Sequence, residues 1–182
     1  MPPSPSADAK FRRIFDAHLE VVQRYCVRRL STADANDAVS EVFLTVWRRI
    51  DDVPSGEETL PWLIGVARNT VRNVQRAGRR ALRLAAKAQT GAIGHVPSPE
   101  MQVVRAAEYE DVANALDSLS PDDQEVIRLR AWEELTAPQI AVVLGCSEAA
   151  AAKKVSRATS RLTKAVERNT VRSRAIRKGG DA

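Results

Sequence analysis

The chain has 182 residues, 44% of them hydrophobic but only 4% aromatic, with 28 Lys or Arg against 23 Asp or Glu and a net charge of +5. That length suits one ordinary domain or two small ones, with cores of Val, Leu, Ile and Ala. No window approaches the roughly 18 apolar residues of a membrane span, MPPSPSADAK has no apolar signal core, and Cys26 and Cys146 lie far apart with no zinc spacing, so the expectation is a cytoplasmic protein without metal, cofactor or membrane insertion of its own.

The spacing predicts a first helix from about Asp8 to Leu30, with Ile14, His18, Val21, Val22, Tyr25 and Leu30 near a 3.6-residue period. STADAND interrupts it, and Asp34 or Asn36 is the expected N-cap of a second helix reaching Ile50. The stripe Val39, Val42, Phe43, Val46, Trp47 and Ile50 makes that helix amphipathic. DDVPSGEET reads as a loop. Pro61 is expected to open a third long helix. Leu63, Val66, Ala67, Thr70, Val71 and Val74 form one face of it, and Arg68, Asn69, Arg72, Asn73 and Arg76 the other. The pattern extends into GRRALRLAAKAQ, although Gly78 weakens a helix by about 1 kcal/mol relative to Ala.

TGAIGHVPSPEM, from Thr90 to Met101, has linker composition, and its His95 has no chemical partner nearby. A fourth helix is expected from Val104 to Leu119, presenting Val112, Leu116 and Leu119. Ser120 then caps a fifth, with Pro121 at its first position and Asp122 and Asp123 in the turn where the helix dipole favours acids. It carries Val126, Ile127 and Leu129 to about Trp132. Thr136 and Gln139 have capping-box spacing for a sixth helix, with Ile140, Ala141 and Leu144 buried and Gly145 just past its end. Ser147 caps the last helix, which runs to about Val166. No strand pattern or internal repeat occurs. The fold class is all-α: two small helical domains, 8–89 and 104–168, joined by a flexible linker over 90–103 and followed by a basic tail over 169–182.

Charge is partitioned along the chain. Residues 1–60 carry a net −2, 61–90 a net +7 without a single acid, 91–150 a net −8, and 151–182 a net +8. Solvated helix faces account for one such basic block; two blocks flanking an acidic stretch fit a polyanion touched at two places. The second block belongs to a helix-turn-helix pattern, Thr136–Leu144, then Gly145-Cys146-Ser147, then Glu148–Val166, which sets a second helix at a steep angle for the major groove. Helix pairs with a glycine turn also occur in ordinary bundles; the basic face is what favours DNA. Ala151, Val155, Ala158 and Leu162 form the expected buried side of that helix, with Ala149, Ala150, Lys153, Lys154, Arg157, Arg161 and Lys164 opposite. Alanine offers a base only a methyl contact, so reading should rest on Ser147, Lys153, Lys154 and DNA shape.

ALDSLSPDDQEVIRLRAWEELTAPQIAVVLGCSEAAAAKKVSRATSRL resembles region 4 of the extracytoplasmic-function group of sigma-70-type transcription initiation factors. DANDAVSEVFLTVWRRI is similar to region 2.2 of that family, and LPWLIGVARNTVRNVQRAGRR to its regions 2.3–2.4. The resemblance implies a non-catalytic protein that binds core RNA polymerase, recognises −10 and −35 promoter elements and assists melting. It implies contact of Asp37, Ser40, Glu41 and Leu44 with the large-subunit clamp, and of the second domain with the flap. Trp62, Arg68, Asn69, Arg72, Asn73 and Arg76 would face the partly single-stranded −10 element, where the loop Val53–Leu60 captures a base. Trp62 suits either a stacking platform or the core. Thr136, Ser147, Ala149, Ala150, Lys153, Lys154, Arg157 and Arg161 would meet the double-stranded −35 element. An anti-sigma protein is the expected inhibitor. Asn36, Ala38, Ser40, Asn73 and Ala152 depart from the family pattern, so its core affinity and promoter sequence do not carry over. The alternative is a helix-turn-helix regulator that binds DNA as a dimer without polymerase; such a protein has no need of the basic block Trp62–Lys87.

Overall fold

Seven α-helices carry most of residues 5–88 and 107–179, which are the residues this computed structural model describes. They fall into two units divided between residues 101 and 102. Every regular element among the described residues is helical, as the patterning predicts.

The first unit holds α1 (Pro5–Val27), α2 (Thr32–Arg48) and α3 (Thr59–Ala88), each packed on the other two. Val22, Tyr25, Val42, Val46, Leu63, Ile64 and Ala67 are fully buried between them. Each large side chain removed from water in this way stabilises the fold by roughly 1.5–3 kcal/mol. The few aromatic residues are concentrated rather than dispersed. Phe15 lies 4.7 Å from Phe43, and Phe11 lies 5.1 Å from Trp47, ring centroid to ring centroid. Phe11 and Phe15 thus join the α1 stripe that the periodicity assigned to Ile14 and its neighbours.

The helix ends differ from the sequence expectation. α1 stops at Val27 rather than Leu30. Ser31, not Asp34 or Asn36, caps α2: its hydroxyl accepts from the Asp34 N–H at 3.3 Å and donates to the Asp34 carboxylate at 2.8 Å. α2 ends at Arg48, and a 3₁₀ turn over Ile50–Asp52 follows. α3 begins at Thr59, two residues before Pro61. Proline is tolerated there because first-turn N–H groups have no helical partner.

The second unit holds α4 (Ala107–Asp117), α5 (Pro121–Ala131), α6 (Ala137–Leu144) and α7 (Glu148–Gly179), with α7 packed against the other three. Ala151, Ala158 and Ala165, seven residues apart, are at most 1% exposed. Small side chains at that spacing let the neighbouring helices approach α7 closely. Leu129 and Ile140 complete the centre at 0% exposure. Val155 and Leu162, expected on the same seam, are half-buried.

α4 ends at Asp117 rather than Leu119, its expected start at Val104 lying outside the described residues, and it buries Ala115 while Val112 is 43% exposed. In α6 Ile140 and Ala141 are buried as expected, but the third buried residue is Val143 and Leu144 is half-buried. α7 does not stop at Val166 but continues to Gly179, through most of the segment read as a tail. The Asn169 amide donates to the Asp111 carbonyl at 3.1 Å, tying this extension to α4. The linker over 90–103 and His95 lie outside the described residues.

Candidate nucleic-acid and polymerase interfaces

The polar flank of α2 follows from helix geometry. Asp37, Ser40, Glu41 and Leu44 recur at three- and four-residue spacing, and all four are exposed while Ala38, Val42 and Val46 face inward. Leu44 is 47% exposed directly beside buried Phe43, an apolar group left in water next to acids. Ser40 is partly engaged, donating to the Asn36 carbonyl at 3.1 Å. Glu41 pairs loosely with Arg48 at 3.4 Å.

The polar face of α3 lies across a groove from this flank. Asp37, Glu41, Thr45 and Arg49 line one wall, and Asn69 and Asn73 line the other. The sequence treats these as separate surfaces; the fold brings them together. Asn69, Arg72, Asn73 and Arg76 are exposed as expected. Arg68 sits at the edge of the buried seam and is half-buried, and its Nε is enclosed without a hydrogen bond. Trp62 is half-buried, with the Arg49 guanidinium 5.4 Å above its ring. It is therefore neither fully core nor a bare platform.

The loop between α2 and α3 is held at both feet by groups the motifs did not single out. The Lys10 ammonium on α1 donates to the carbonyls of Ile50 at 2.7 Å and Val53 at 2.9 Å. Thr59, 6% exposed, donates from Oγ1 to the Pro54 carbonyl at 2.8 Å. Arg49 also bridges to Asp52 at 3.1 Å. Between these ties Ser55, Gly56, Glu57 and Glu58 are exposed, with Gly56 at φ +69°.

The helix-turn-helix is built by two caps. Thr136 and Gln139 form the expected capping box at the start of α6. At its end Gly145 takes φ +63°, and the N–H groups of Gly145 and Cys146 donate to Val142 and Ala141. This left-handed cap redirects the chain toward α7. Ser147 then accepts from the Ala150 N–H at 3.3 Å. Ala149, Lys153, Lys154, Arg157 and Arg161 are exposed along α7, Ala150 is half-buried, and Ala151 is fully buried.

Two electrostatic features modify this picture. Arg161 donates to the Asp123 carboxylate at 2.6 Å. Burial works against the Asp123 anion, but hydrogen bonds from Arg161 and Ser120, with the charges of Arg161 and Lys154, outweigh it and hold the carboxyl below its usual range. In the first unit, burial pushes the Cys26 thiol up to about 11, only partly opposed by the Arg29 charge, so it is a core group rather than a nucleophile.

Two helical units with a polar groove on one and a basic helix-turn-helix on the other define a DNA-binding class of protein. Comparison with known families then narrows the class. The model of sigma-70 region 2 matches residues 14–81, and that of sigma-70 region 4 matches residues 109–162. The RNA polymerase sigma factor CnrH of Cupriavidus metallidurans is 30% identical over 138 residues, covering 71% of this chain and 72% of that protein. The solved complex of CnrH with the cytosolic domain of CnrY is similar at 25% identity and a TM-score of 0.56, covering 86% of this chain and 87% of that one. The sigma factor RpoE of Bartonella quintana, solved with the anti-sigma factor NepR, shares the fold at a TM-score of 0.62 and 22% identity, covering 86% of this chain and 96% of that one. The chain belongs to the sigma-70 family of RNA polymerase sigma factors, in its extracytoplasmic-function group. Two regions matched in order favour this family over a stand-alone dimeric regulator.

Proposed function

We propose that the protein binds core RNA polymerase and directs it to promoters through −10 and −35 elements, with each helical unit handling one element. The observation that carries this is the order of the two regions along one chain, each on its own folded helical unit. Two modest DNA contacts on one polymerase give specificity through effective concentration.

The residue roles follow from exposure and chemistry. The flank Asp37, Ser40, Glu41 and Leu44 meets the clamp, with Leu44 as the apolar contact. Asn69, Arg72, Asn73 and Arg76 follow the −10 strand, and Arg68 and Trp62 border that path. The loop tip, with Glu57 and Glu58, repels phosphate, so it meets base edges while the strand's backbone follows the α3 arginines. Ser147, Ala149, Ala150, Lys153, Lys154 and Arg157 face the −35 duplex. Thr136 spends its side chain on the capping box and contributes chiefly by placing α6. Arg161 is divided between DNA and Asp123.

The regulator is an anti-sigma protein, of the kind that NepR is for the sigma factor RpoE of Bartonella quintana. An inhibitor that covers the exposed Leu44 competes directly with the clamp.

The test is transcription. Purified protein mixed with core RNA polymerase should yield specific transcripts from a genomic library, and neither component alone should. Tight binding to a palindromic duplex without polymerase, together with no transcription in its presence, overturns the reading.

A further inference from the structure

We infer that Lys10 and Thr59 are positioning residues that preset the loop between α2 and α3 for base capture. The inference rests on the proposed role of that loop. Lys10 lies before residue 14, outside the region matched to the family model, and 40 residues from its nearer partner. Its ammonium has three donors, and two are committed to the carbonyls of Ile50 and Val53. These carbonyls bracket the 3₁₀ turn that follows α2, Ile50 being its first residue and Val53 its C-cap, so one ammonium ties both ends of the turn to α1. Such charge-assisted bonds are about twice as strong as neutral ones.

The opposite foot is fixed without charge. Thr59 is 6% exposed and holds the Pro54 carbonyl at 2.8 Å. Val53, beside it, is 3% exposed. The segment from Ile50 to Glu58 carries exposed Asp51, Glu57 and Glu58 beside the Arg49-paired Asp52, and like charges on one short segment favour spreading it. Lys10 and Thr59 oppose that spreading from two different helices. Neither side chain is at the tip, so both act on the captured base through the backbone they hold. Bases enter a loop already in place, and the ordering cost falls before DNA arrives.

The test uses holoenzyme assembled from full-length chain and core RNA polymerase. The probe is a pool of fork-junction DNA whose non-template single strand is randomised. K10M and T59V should each lower binding of the pool roughly tenfold or more. They should also flatten the base preference among bound sequences while holoenzyme assembly stays near wild type, and the melting temperature should fall by only a few degrees for the lost backbone bonds. K10R, which keeps the charge and donors, should restore most of the preference. A double variant of the tip, E57A/E58A, tests the underlying loop reading. If the tip variant alters the preference and both K10M and T59V leave it unchanged, the positioning role is wrong and the loop reading stands. If none of the three alters it, the loop reading fails and the inference falls with it. If K10M and T59V weaken assembly and DNA binding in equal proportion, the residues merely hold the fold and the inference is overturned.

Discussion

Arg161 on α7 reaches back 38 residues to Asp123, in the first turn of α5, and the two form a 2.6 Å hydrogen-bonded ion pair. By sequence Arg161 belongs to the basic face offered to DNA. In the fold its guanidinium already has an anionic partner, whereas Arg157, one turn earlier, is exposed on the same helix. The two arginines should therefore behave differently. Replacing Arg157 or Lys154 by Ala should reduce the salt slope of −35 DNA binding by about one per lost phosphate contact. Arg161→Ala should change the slope less and lower stability by at most about 1 kcal/mol, as expected for a pair with an exposed arginine. Slopes from binding titrations across salt concentrations decide this.

The same pair makes the second unit sensitive to acid. The native Asp123 carboxyl titrates below its ordinary 3.8. The folded state therefore favours the anion, and the unfolded chain takes up the proton first as pH falls. The stabilisation is fully present above the ordinary value and is lost as pH drops through the lowered native one. Urea unfolding of wild type and Asp123→Asn over about pH 3–6 should show the two converging at the acid end. Parallel curves throughout would remove the pair from the account of acid stability.

Phe43 and Leu44 are neighbours with opposite duties. Phe43 is 5% exposed and stacks edge-on with Phe15, while Leu44 is 47% exposed. Phe43→Ala should cost about 3–5 kcal/mol of stability. Leu44→Ala should change stability by no more than about 0.5 kcal/mol yet weaken holoenzyme assembly. Chemical unfolding combined with a polymerase-binding titration separates them, and an unchanged assembly affinity for Leu44→Ala would take the clamp contact off this flank.

Gly145 is needed for its backbone. A Cβ built there meets nothing within 4 Å, but φ is +63°. Gly145→Ala should cost roughly 1–2 kcal/mol through conformation alone. Gly145→Asn should cost less, since asparagine tolerates the left-handed region. Both should reduce −35 binding more than −10 binding in separate DNA assays.

The sequence reading succeeded where local chemistry decides. The capping box of Thr136 and Gln139, the Ser120 cap with Pro121 behind it, and the Gly145 turn all depend on residues within a few positions of one another. It erred where local signals compete. Ser31 stands three residues before Asp34, the same spacing as the caps read correctly, but the acid and amide that follow offered rival caps. Val112 fits an apolar stripe, yet α4 buries Ala115, a residue whose small size gives no periodic signal. α7 runs beyond its expected end because Ala165 and Asn169 hold it through packing and a bond to α4, contacts set by tertiary structure. At the interfaces, residue types on single helices were readable. The groove that joins Asp37 and Glu41 to Asn69 and Asn73 was not, because it exists only once α2 and α3 pack.

The three tryptophans divide the molecule optically. Trp47 sits 5.1 Å from Phe11 in the aromatic cluster, Trp62 lies 5.4 Å beneath Arg49 at the foot of the loop, and Trp132 faces Arg128 at 5.5 Å in the second unit. Each indole thus occupies a distinct neighbourhood, and replacing any two by Phe leaves one tryptophan, which can be excited selectively at wavelengths where the two tyrosines do not absorb. Trp62 emission then follows events at the −10 face, Trp132 emission those in the helix-turn-helix unit, and Trp47 emission the integrity of the α1–α2 pair, without an attached dye.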